Sequence, residues 1–411
     1  MNDLRLNAHL LHISGWHPWY KELLRENGIE HPNPAPLDNF TLLKKLPLLT
    51  AELLEKHYYS QPPRTEEGLS VYRTSGTSSG IRKAIYYSNE DDEQYTDAKR
   101  TSFNEWLGDD HGVIRALADL GTGHAASTAI AIFASLGIEG ESIPFTAPIE
   151  EHLAKLKQYR PHLLYTMPSI LEAIADAAES PQELGLRKII LVGELASSEW
   201  QARMAERFGL APADLLDTLG SIEVGAIAAY SHELGSYVLS EGLLGEALPA
   251  ERIDSSFAPL RSDEGVLTLT SFHRTLFPVM RFVTYDVVRN FRTVLHQGKQ
   301  IQLFDCLTKR IGRELKHGEK ISLYDIEEVV SRHLDDATLR VKVEHNKLKL
   351  YIKSGSMGPA AAEAIKRDVE HKIEDIGMMI RNRLLQGIEV VHASGREELP
   401  SGSVKAKKLY Q

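Results

Sequence analysis

The sequence predicts an α/β protein in which a large N-terminal domain, built on mainly parallel sheets flanked by helices, precedes a small C-terminal α+β domain. Strand-like and helix-like segments alternate from about 70 to 240, as where PHLLYTM leads into PSILEAIADAAES, and repeated strand–helix units favour a parallel sheet covered on both faces. Farther along, Leu339, Val341 and Val343 alternate with polar residues, and the same period returns after residue 347, which indicates a β-hairpin. With 411 residues, the chain is too long for one compact core.

The division between the two domains is expected in the segment DCLTKRIG, residues 305–312. The hairpin, the helical stretches on either side of it and the strand-like IEVVHA make up one compact α+β unit. We therefore assign residues 1–308 to the large domain and residues 309–411 to the small one, with Gly312 as the candidate hinge.

Composition and charge narrow the classes of function. The formal net charge is -10, which argues against broad binding of a nucleic-acid backbone. Cys306 is the only cysteine, so neither an intramolecular disulfide nor a cysteine-based zinc site is expected. No apolar run reaches the roughly 20 residues that a membrane helix needs, and the N-terminus lacks the pattern of a signal peptide. We expect a cytoplasmic protein without a membrane partner.

The most informative segment is YRTSGTSSGIRKAIYYS, residues 72–88. Its central residues are all threonine, serine or glycine: Thr74, Ser75, Gly76, Thr77, Ser78, Ser79 and Gly80. Glycines let backbone amides approach a ligand closely, hydroxyls donate hydrogen bonds, and the cations of Arg82 and Lys83 follow the loop closely. The segment therefore suits a polyphosphate. No G-K-[ST] ends the loop, which excludes a Walker A motif.

Two other interpretations of this loop remain open. Its composition is also typical of a flexible Ser/Gly linker, although a strand-like VYR and an aromatic pair flank it. In addition, residues 76–80 match G-x-S-x-G, the nucleophile elbow of an α/β serine hydrolase. That elbow needs a strand that turns into a helix, whereas residues 81–88 indicate a second strand, and no HGGG-type oxyanion segment precedes it.

Together with further motifs in the same order, the loop resembles the signature of the adenylate-forming superfamily, and within it the phenylacetate–CoA ligase-like branch. TSGTSSGIRK is similar to the family's [ST]-S-G-[ST]-[ST]-G-x-x-K, with one extra residue before the lysine. The later motifs of the family are similar to LVGELAS, DTLGSIE, FPVMRFVTYDVV, GEKISLYDIEEV and SGSVKAKKLY. The resemblance implies an enzyme that uses ATP and Mg²⁺ to convert a carboxylic acid to an acyl-adenylate.

The resemblance assigns nucleotide contacts to two of these motifs. The segment whose backbone holds adenine in the family falls on Gly193 and Glu194. The next motif falls on Gly220 and Ser221 and ends at Glu223, the position that ligates Mg²⁺ in the family. These residues, with the Gly/Ser/Thr loop and its lysine, are the expected ATP site.

Two further motifs complete the expected catalytic apparatus. The family's aspartate that chelates the ribose hydroxyls corresponds to Asp286. In the tail, V-K-A-K-K-L is similar to the family's G-K-A-K-R-V, which makes Lys405 the catalytic lysine, whereas an alignment with S-G-K-V puts the lysine position at Ser403. We favour Lys405, which with Glu223 and Thr77 forms the expected catalytic set. A solvated basic tail is the alternative.

The start of the small domain can be aligned with the family in two ways. Arg313, in the pair Gly312-Arg313, corresponds to the arginine of the family's G-R-x-D-D, and Lys309-Arg310 is the alternative pair. The resemblance implies that the small domain is mobile and turns about this segment to admit the acyl acceptor.

The acid-binding pocket is expected around DLGTGHAASTA, with Gly121, Gly123 and His124 on one side and Leu219 on the other. The resemblance implies an aryl acid such as 3,4-dihydroxybenzoate and a phosphopantetheine thiol as acceptor, carried either by a carrier protein of siderophore biosynthesis or by CoA.

Two positions depart from the family pattern. Leu219 stands where an aromatic residue usually stacks on the base, and Ile222 replaces a hydroxyl residue. A non-catalytic nucleotide-binding subunit therefore remains an alternative to the enzyme.

Overall fold

The computed structural model describes residues 3–29, 39–61, 68–73, 83–108, 112–120, 124–311, 322–344, 347–381, 385–393 and 409–410. The chain forms two compact units, and each is made of two chain segments. The first unit is Met1–Trp106 with Leu219–Cys306, and the second is Leu107–Thr218 with Leu307–Gln411. The last passage between units, at 306/307, falls close to the domain boundary predicted at 308/309. The predicted large domain is itself shared between both units, so the two-domain division stays a prediction.

The helices are α1 Asp3–Trp16, α2 Pro18–Glu26, α3 Asn39–Lys45, α4 Ala51–His57, α5 Asn89–Leu107, α6 His124–Ser135, α7 Ile149–Tyr159, α8 Pro168–Ala177, α9 Ser198–Arg207, α10 Ala250–Ile253, α11 Leu323–Ser331, α12 Pro359–Lys372 and α13 Glu374–Arg381. Within the described parts of the chain, none of them combines the length and the apolar character that crossing a bilayer requires.

The strands are β1 Ser70–Arg73, β2 Ala84–Tyr87, β3 Arg115–Leu120, β4 Glu139–Pro144, β5 Leu163–Thr166, β6 Lys188–Val192, β7 Leu215–Ser221, β8 Gly225–Ser231, β9 Ser236–Leu239, β10 Leu243–Leu248, β11 Glu264–Ser271, β12 Phe282–Arg289, β13 Arg292–His296, β14 Lys299–Phe304, β15 Cys306–Arg310, β16 Thr338–Glu344, β17 Lys347–Lys353, β18 Ile388–His392 and β19 Leu409–Tyr410.

A parallel sheet forms the centre of the second unit. Its strands run in the order β4, β3, β5, β6 and the first half of β7. Every residue of Leu163–Thr166 is buried, as expected for a central parallel strand that helices cover on both faces. Leu164 and Ile189 of the sheet share one hydrophobic core with Leu171 and Trp200 of the helices. The parallel sheet predicted for this part of the chain is confirmed.

The C-terminal segment of the second unit is an α+β module. Strands β16 and β17 form an antiparallel hairpin in which Leu339 pairs with Ile352 and Val341 with Leu350. Strands β18 and β19 add to the two sides of this hairpin in parallel. The alternating apolar residues all point to one core, which includes Ile326 and residues of α12 and α13. The predicted hairpin and the small C-terminal α+β module are confirmed, and with them the predicted fold class.

Within the second unit, helix α8 is bonded to the C-terminal hairpin through buried charges. Nη2 of Arg340 on β16 donates to Oε2 of Glu172 on α8 at 2.6 Å. The other carboxylate oxygen of Glu172 accepts from Nε1 of Trp200 at 3.2 Å. Glu172 is 3% exposed and Arg340 is 6% exposed. One helical turn farther along α8, Asp176 pairs with both Arg207 and Lys353.

Strands of the first unit pair in antiparallel fashion. They form the hairpin β1–β2, the sheet β10–β11–β12 and the pairs β8–β9, β9–β14 and β13–β14. Short connections such as those between β8 and β9 allow only antiparallel pairing, so the mainly parallel character predicted from the sequence applies to the second unit. The N-terminal helices pack against this unit through Leu10, Tyr20 and Met280.

His9, on α1, makes the stability of the first unit depend on pH. Its Nε2 is buried without a hydrogen-bond partner, and burial together with the nearby His12 and His273 lowers the pKa of the imidazole from 6.5 to about 4. Between these values the unfolded chain binds a proton that the folded chain excludes, so the free energy of unfolding falls as the pH falls. We expect a loss of about 2 kcal/mol between pH 7 and pH 5 from this residue.

Urea unfolding at the two pH values measures this loss. In His9→Gln the extra loss should disappear, whereas the exposed control His371→Gln should behave as the wild type. An unchanged pH dependence in His9→Gln would contradict the assignment.

Candidate active site

Glu223 lies in the tight connection between β7 and β8, which we call the Glu223 turn and define as residues 221–224. Oγ of Ser221 accepts a hydrogen bond from the backbone amide three residues later, at 3.2 Å. A Cβ atom at Gly220 would lie 2.9 Å from the carbonyl oxygen of Gly225, so no larger residue fits there without a shift of the backbone. The glycine of this motif is therefore required by the close approach of the two strands.

Hydrogen bonds from two side chains hold the main chain at Glu223. Its carboxylate is half-buried and makes no hydrogen bond or ion pair with any residue that the structure describes. The hydroxyl of Tyr87 donates to the carbonyl of Ile222 at 2.8 Å. Nε of Arg274 donates to the carbonyl of Glu223 itself at 3.1 Å.

This arrangement fits a magnesium ligand. Mg²⁺ prefers oxygen donors and is commonly held by one or two carboxylates together with the phosphates of a substrate. Among the described residues, Glu223 supplies a carboxylate whose oxygens are not already used by a protein donor. The role of Glu223 as a metal ligand stays a prediction that the local chemistry supports.

Lys83 contacts Tyr59, and Glu223 interacts electrostatically with the same tyrosine. The ammonium group of Lys83 pairs with Glu55 and lies 4.7 Å from the centroid of the Tyr59 ring. Burial raises the pKa of the Tyr59 phenol, and the nearby carboxylate of Glu223 raises it further. Lys83 and Glu223, both predicted to contact the nucleotide, therefore interact with the same residue of the first unit. That residue, Tyr59, is not among the predicted site residues.

Asp286 lies on an irregular stretch of β12. The pairing of this strand with β11 shifts its register between Val266 and Thr268, and Tyr285 has a φ of 65°, which bulky residues rarely adopt. The hydroxyl of Tyr285 accepts from the amide of Ala51 at 3.1 Å. Bulges of this kind redirect side chains and are frequent beside functional sites, which supports the prediction that Asp286 binds ribose.

Gly193 and Glu194 lie in the second unit, directly after β6. Gly193 is exposed and has a φ of 83°. The carboxylate of Glu194 accepts from both the amide and the hydroxyl of Ser169, at 2.8 and 2.9 Å. Because Met167, which precedes α8, has no side chain that can cap the helix, Glu194 supplies the cap from another loop. The side chain of Glu194 is therefore occupied by α8, and only its backbone remains for the predicted contact with adenine.

The hairpin β1–β2 bears on the hydrolase alternative. Ser70 pairs with Tyr87 and Arg73 with Ala84, so a strand lies on each side of the Gly/Ser/Thr loop, as predicted. A nucleophile elbow requires a helix after the loop. The observed strand–loop–strand order is not that of a serine hydrolase.

Several predicted site residues lie outside the residues that the structure describes. They are Thr74, Ser75, Gly76, Thr77, Ser78, Ser79, Gly80, Gly121, Gly123, Arg313 and Lys405. The backbone of His124 begins α6, and its side chain is likewise outside the description. Leu219 and Ser221 lie half-buried at the end of β7, beside the Glu223 turn.

The whole chain resembles one characterised ligase. It is 35% identical over 395 residues to the fumarate–(S)-2,3-diaminopropanoate ligase of Enterobacter agglomerans, and the match covers 96% of each chain. This chain belongs to the family of that fumarate–(S)-2,3-diaminopropanoate ligase. The model of the fumarate–diaminopropanoate ligase C-terminal domain matches residues 316–394 of this chain. The alternative of a non-catalytic subunit loses its support, because the relative that spans the chain is itself named as a ligase.

Solved structures of other proteins share the fold of this chain. The crystal structure of 2-hydroxyisobutyryl-CoA ligase in the postadenylation state, in complex with R3-HIB-AMP, matches 98% of this chain and 87% of its own with a TM-score of 0.72 at 16% identity. The amide bond synthetase McbA from Marinactinospora thermotolerans matches 83% of this chain and 73% of its own, with a TM-score of 0.50 at 16% identity.

Proposed function

We propose that this ligase uses ATP to activate a small dicarboxylic acid such as fumarate and then joins the acyl group to the amine of an amino acid. The observation that carries the proposal is the likeness to fumarate–(S)-2,3-diaminopropanoate ligase along the whole chain. At 35% identity with coverage of both chains, a shared reaction type is the simplest expectation. The identity of the acid and of the amine is the part that experiment must establish.

The proposed reaction has two half-reactions. In the first, a carboxylate oxygen of the acid attacks the α-phosphorus of ATP, the bond to the bridging oxygen breaks, and acyl-adenylate and pyrophosphate form. In the second, an amine nitrogen attacks the acyl carbon, AMP leaves and the nitrogen loses a proton, which produces an amide. The first half-reaction is the one that the family shares, whichever acceptor follows.

The residues of the chain divide this work among them. The amides and hydroxyls of residues 74–80 would hold the leaving phosphates, and Asp286 would accept hydrogen bonds from the two ribose hydroxyls. Mg²⁺, when bound through Glu223 and the phosphates, would neutralise negative charge on the leaving group. Lys405 would contact the α-phosphoryl and carboxylate oxygens, where charge is redistributed in the transition state.

The aryl acid, the phosphopantetheine thiol and the role in siderophore biosynthesis predicted from the sequence stay predictions. They have less support than the acid and amine proposed above, because the relative that spans the whole chain is named for fumarate and an amine. The likeness to a CoA ligase structure concerns the fold alone, since the identity is 16%.

Pyrophosphate exchange tests the first half-reaction. The protein, ATP and labelled pyrophosphate are incubated with fumarate, succinate, 3,4-dihydroxybenzoate, phenylacetate or acetate, and label entering ATP is counted. We expect exchange that depends on the acid, with fumarate the best of the series. Exchange driven only by 3,4-dihydroxybenzoate would overturn the proposed acid and restore the aryl acid. Absence of exchange with all acids and release of ADP would overturn adenylation altogether.

The acceptor is tested with the acid found in that screen. 2,3-Diaminopropanoate, other amino acids, CoA and a phosphopantetheinylated carrier protein are offered in turn, and the products are separated by mass spectrometry. An amide accompanied by equal amounts of AMP and pyrophosphate is expected. Formation of a thioester in preference to an amide would contradict the proposal for the second half-reaction.

A further inference from the structure

Two side chains distant from Glu223 in sequence hold the backbone on which it is mounted. Tyr87 binds the carbonyl of Ile222, and Arg274 binds the carbonyl of Glu223, as described above. Fixing these two successive carbonyl groups fixes the two peptide planes on either side of the Cα atom of Glu223, and thereby the direction in which its side chain leaves the main chain. These two hydrogen bonds therefore constrain the direction of the carboxylate.

Arg274 is itself held rigidly. Its guanidinium is 3.7 Å from the centroid of the Tyr87 ring, and Nη1 lies 2.6 Å from Oδ2 of Asp91. Nη2 donates to the carbonyl of Tyr86 at 3.2 Å. Arg274 is 3% exposed and Asp91 is 1% exposed. A planar guanidinium with several fixed donors is suited to joining backbone groups of different segments.

Asp91 orients the guanidinium and is in turn fully bonded. Its two carboxylate oxygens accept from the backbone amides of Ser88 and Thr275, at 3.1 and 3.0 Å. These donors hold the buried carboxylate in position. The arginine therefore has little freedom to leave the Glu223 turn.

The same contacts reach the strand that follows the Gly/Ser/Thr loop. Tyr86 and Tyr87 end β2, which begins directly after Lys83. One guanidinium thus joins the strand leaving the expected phosphate loop to the turn carrying the expected metal ligand. A purely structural role would require burial of Arg274. It would not require that the Nε and Nη2 donors of Arg274 bind the carbonyls of Glu223 and Tyr86.

We propose that Tyr87 and Arg274 are positioning residues that aim the carboxylate of Glu223 at the metal-bound nucleotide. The proposal rests on the proposed function, because it takes Glu223 as a ligand of Mg²⁺ bound with ATP. Neither residue is expected to touch the substrate. Their contribution is to keep one orientation of the Glu223 turn populated before the nucleotide binds.

The test compares two tyrosine hydroxyls of one aromatic cluster. Tyr87→Phe removes the hydrogen bond to Ile222 and keeps the ring under Arg274. Tyr72→Phe is the matched control, because Tyr72 packs edge-on against Tyr87 with centroids 4.7 Å apart and its hydroxyl donates to Asp92. The affinity for a nonhydrolysable ATP analogue is measured by calorimetry over a range of Mg²⁺ concentrations, and the thermal unfolding midpoint is measured beside it.

We expect Tyr87→Phe to raise the Mg²⁺ concentration for half-maximal nucleotide affinity roughly fivefold, and Tyr72→Phe to leave it unchanged. Arg274→Lys, which keeps a charge for Asp91 and loses the planar fork, should raise it at least as much. In a Glu223→Gln background, Tyr87→Phe should have no further effect on the Mg²⁺ dependence, since the group that it positions is gone.

The possible outcomes distinguish failure of the positioning role from failure of the proposed function. Equal Mg²⁺ dependence in Tyr87→Phe, Tyr72→Phe and wild type would overturn the positioning role, as would a full fivefold effect that persists in Glu223→Gln. If wild type exchanges pyrophosphate as proposed, either result leaves the proposed function standing. Failure of the wild-type protein to bind ATP at any Mg²⁺ concentration would remove both.

Discussion

Replacing Lys405 with alanine should slow formation of the acyl-adenylate by roughly 10²–10³-fold or more and leave the second half-reaction nearly intact. A cation placed at the α-phosphoryl oxygens stabilises charge that develops only while pyrophosphate departs. When the adenylate is supplied ready-made, that stabilisation is no longer needed. The expectation rests on the sequence, because Lys405 lies outside the described residues.

Separate assays for the two half-reactions measure this difference. Pyrophosphate exchange reports the first, and consumption of a synthetic acyl-adenylate by the amine reports the second. Lys407→Ala and Lys408→Ala are matched controls from the same basic tail, and both should retain exchange within a few-fold of wild type. An equal loss of both half-reactions in Lys405→Ala, or a loss of the same size in Lys407→Ala, would contradict the assignment.

Breaking the buried pair between Glu172 and Arg340 should lower the free energy of unfolding more than any other substitution proposed for this protein. In Glu172→Gln, Arg340 loses the carboxylate that lies 2.6 Å from its Nη2, while the glutamine still accepts from Trp200. Removal of one partner of a buried pair costs about 3–5 kcal/mol, because the desolvation of the remaining charge is no longer offset. The free energy of unfolding, from urea titration, should fall by about that amount.

A second variant shows whether the loss of stability comes from the unpaired charge of Arg340 or from other contacts of Glu172. Glu172→Gln combined with Arg340→Met removes both charges, and most of the stability should return, since an apolar replacement of a buried pair is often close to neutral. Glu22→Gln, which breaks an exposed pair with Arg25, should give no measurable change. A double variant less stable than Glu172→Gln would show that the charges are not the cause.

Local sequence patterns were sufficient to predict strands and helices such as β16 and α8. The alternation of Leu339, Val341 and Val343 predicted a strand, because in a hairpin that covers one core every second side chain must be apolar. The helix-like segment PSILEAIADAAES follows the strand-like PHLLYTM, and α8 begins at its first residue, Pro168. These features depend on residues within a few positions of each other, which is the range over which a sequence pattern is informative.

Contacts between distant segments could not be predicted. Nothing near Glu194 indicates that it caps α8, because its partner Ser169 belongs to a different strand–helix unit. Arg274, in the polar-looking segment SFHRTLF, gives no local sign of burial, and its environment is created by Asp91 and by two backbone carbonyls. The sequence shows the aromatic pair Tyr86-Tyr87 only as a neighbour of the Gly/Ser/Thr loop. Its contacts with Arg274 and the Glu223 turn become visible only in the folded chain.

The pairing of Glu172 with Arg340 limits how this chain can be shortened in evolution. A descendant that ended at Cys306 would keep α8 and its acidic residue but lose the arginine that neutralises it. Such a shortened chain would have to let water replace Arg340 as the partner of Glu172, since a charge left unpaired inside the protein is costly.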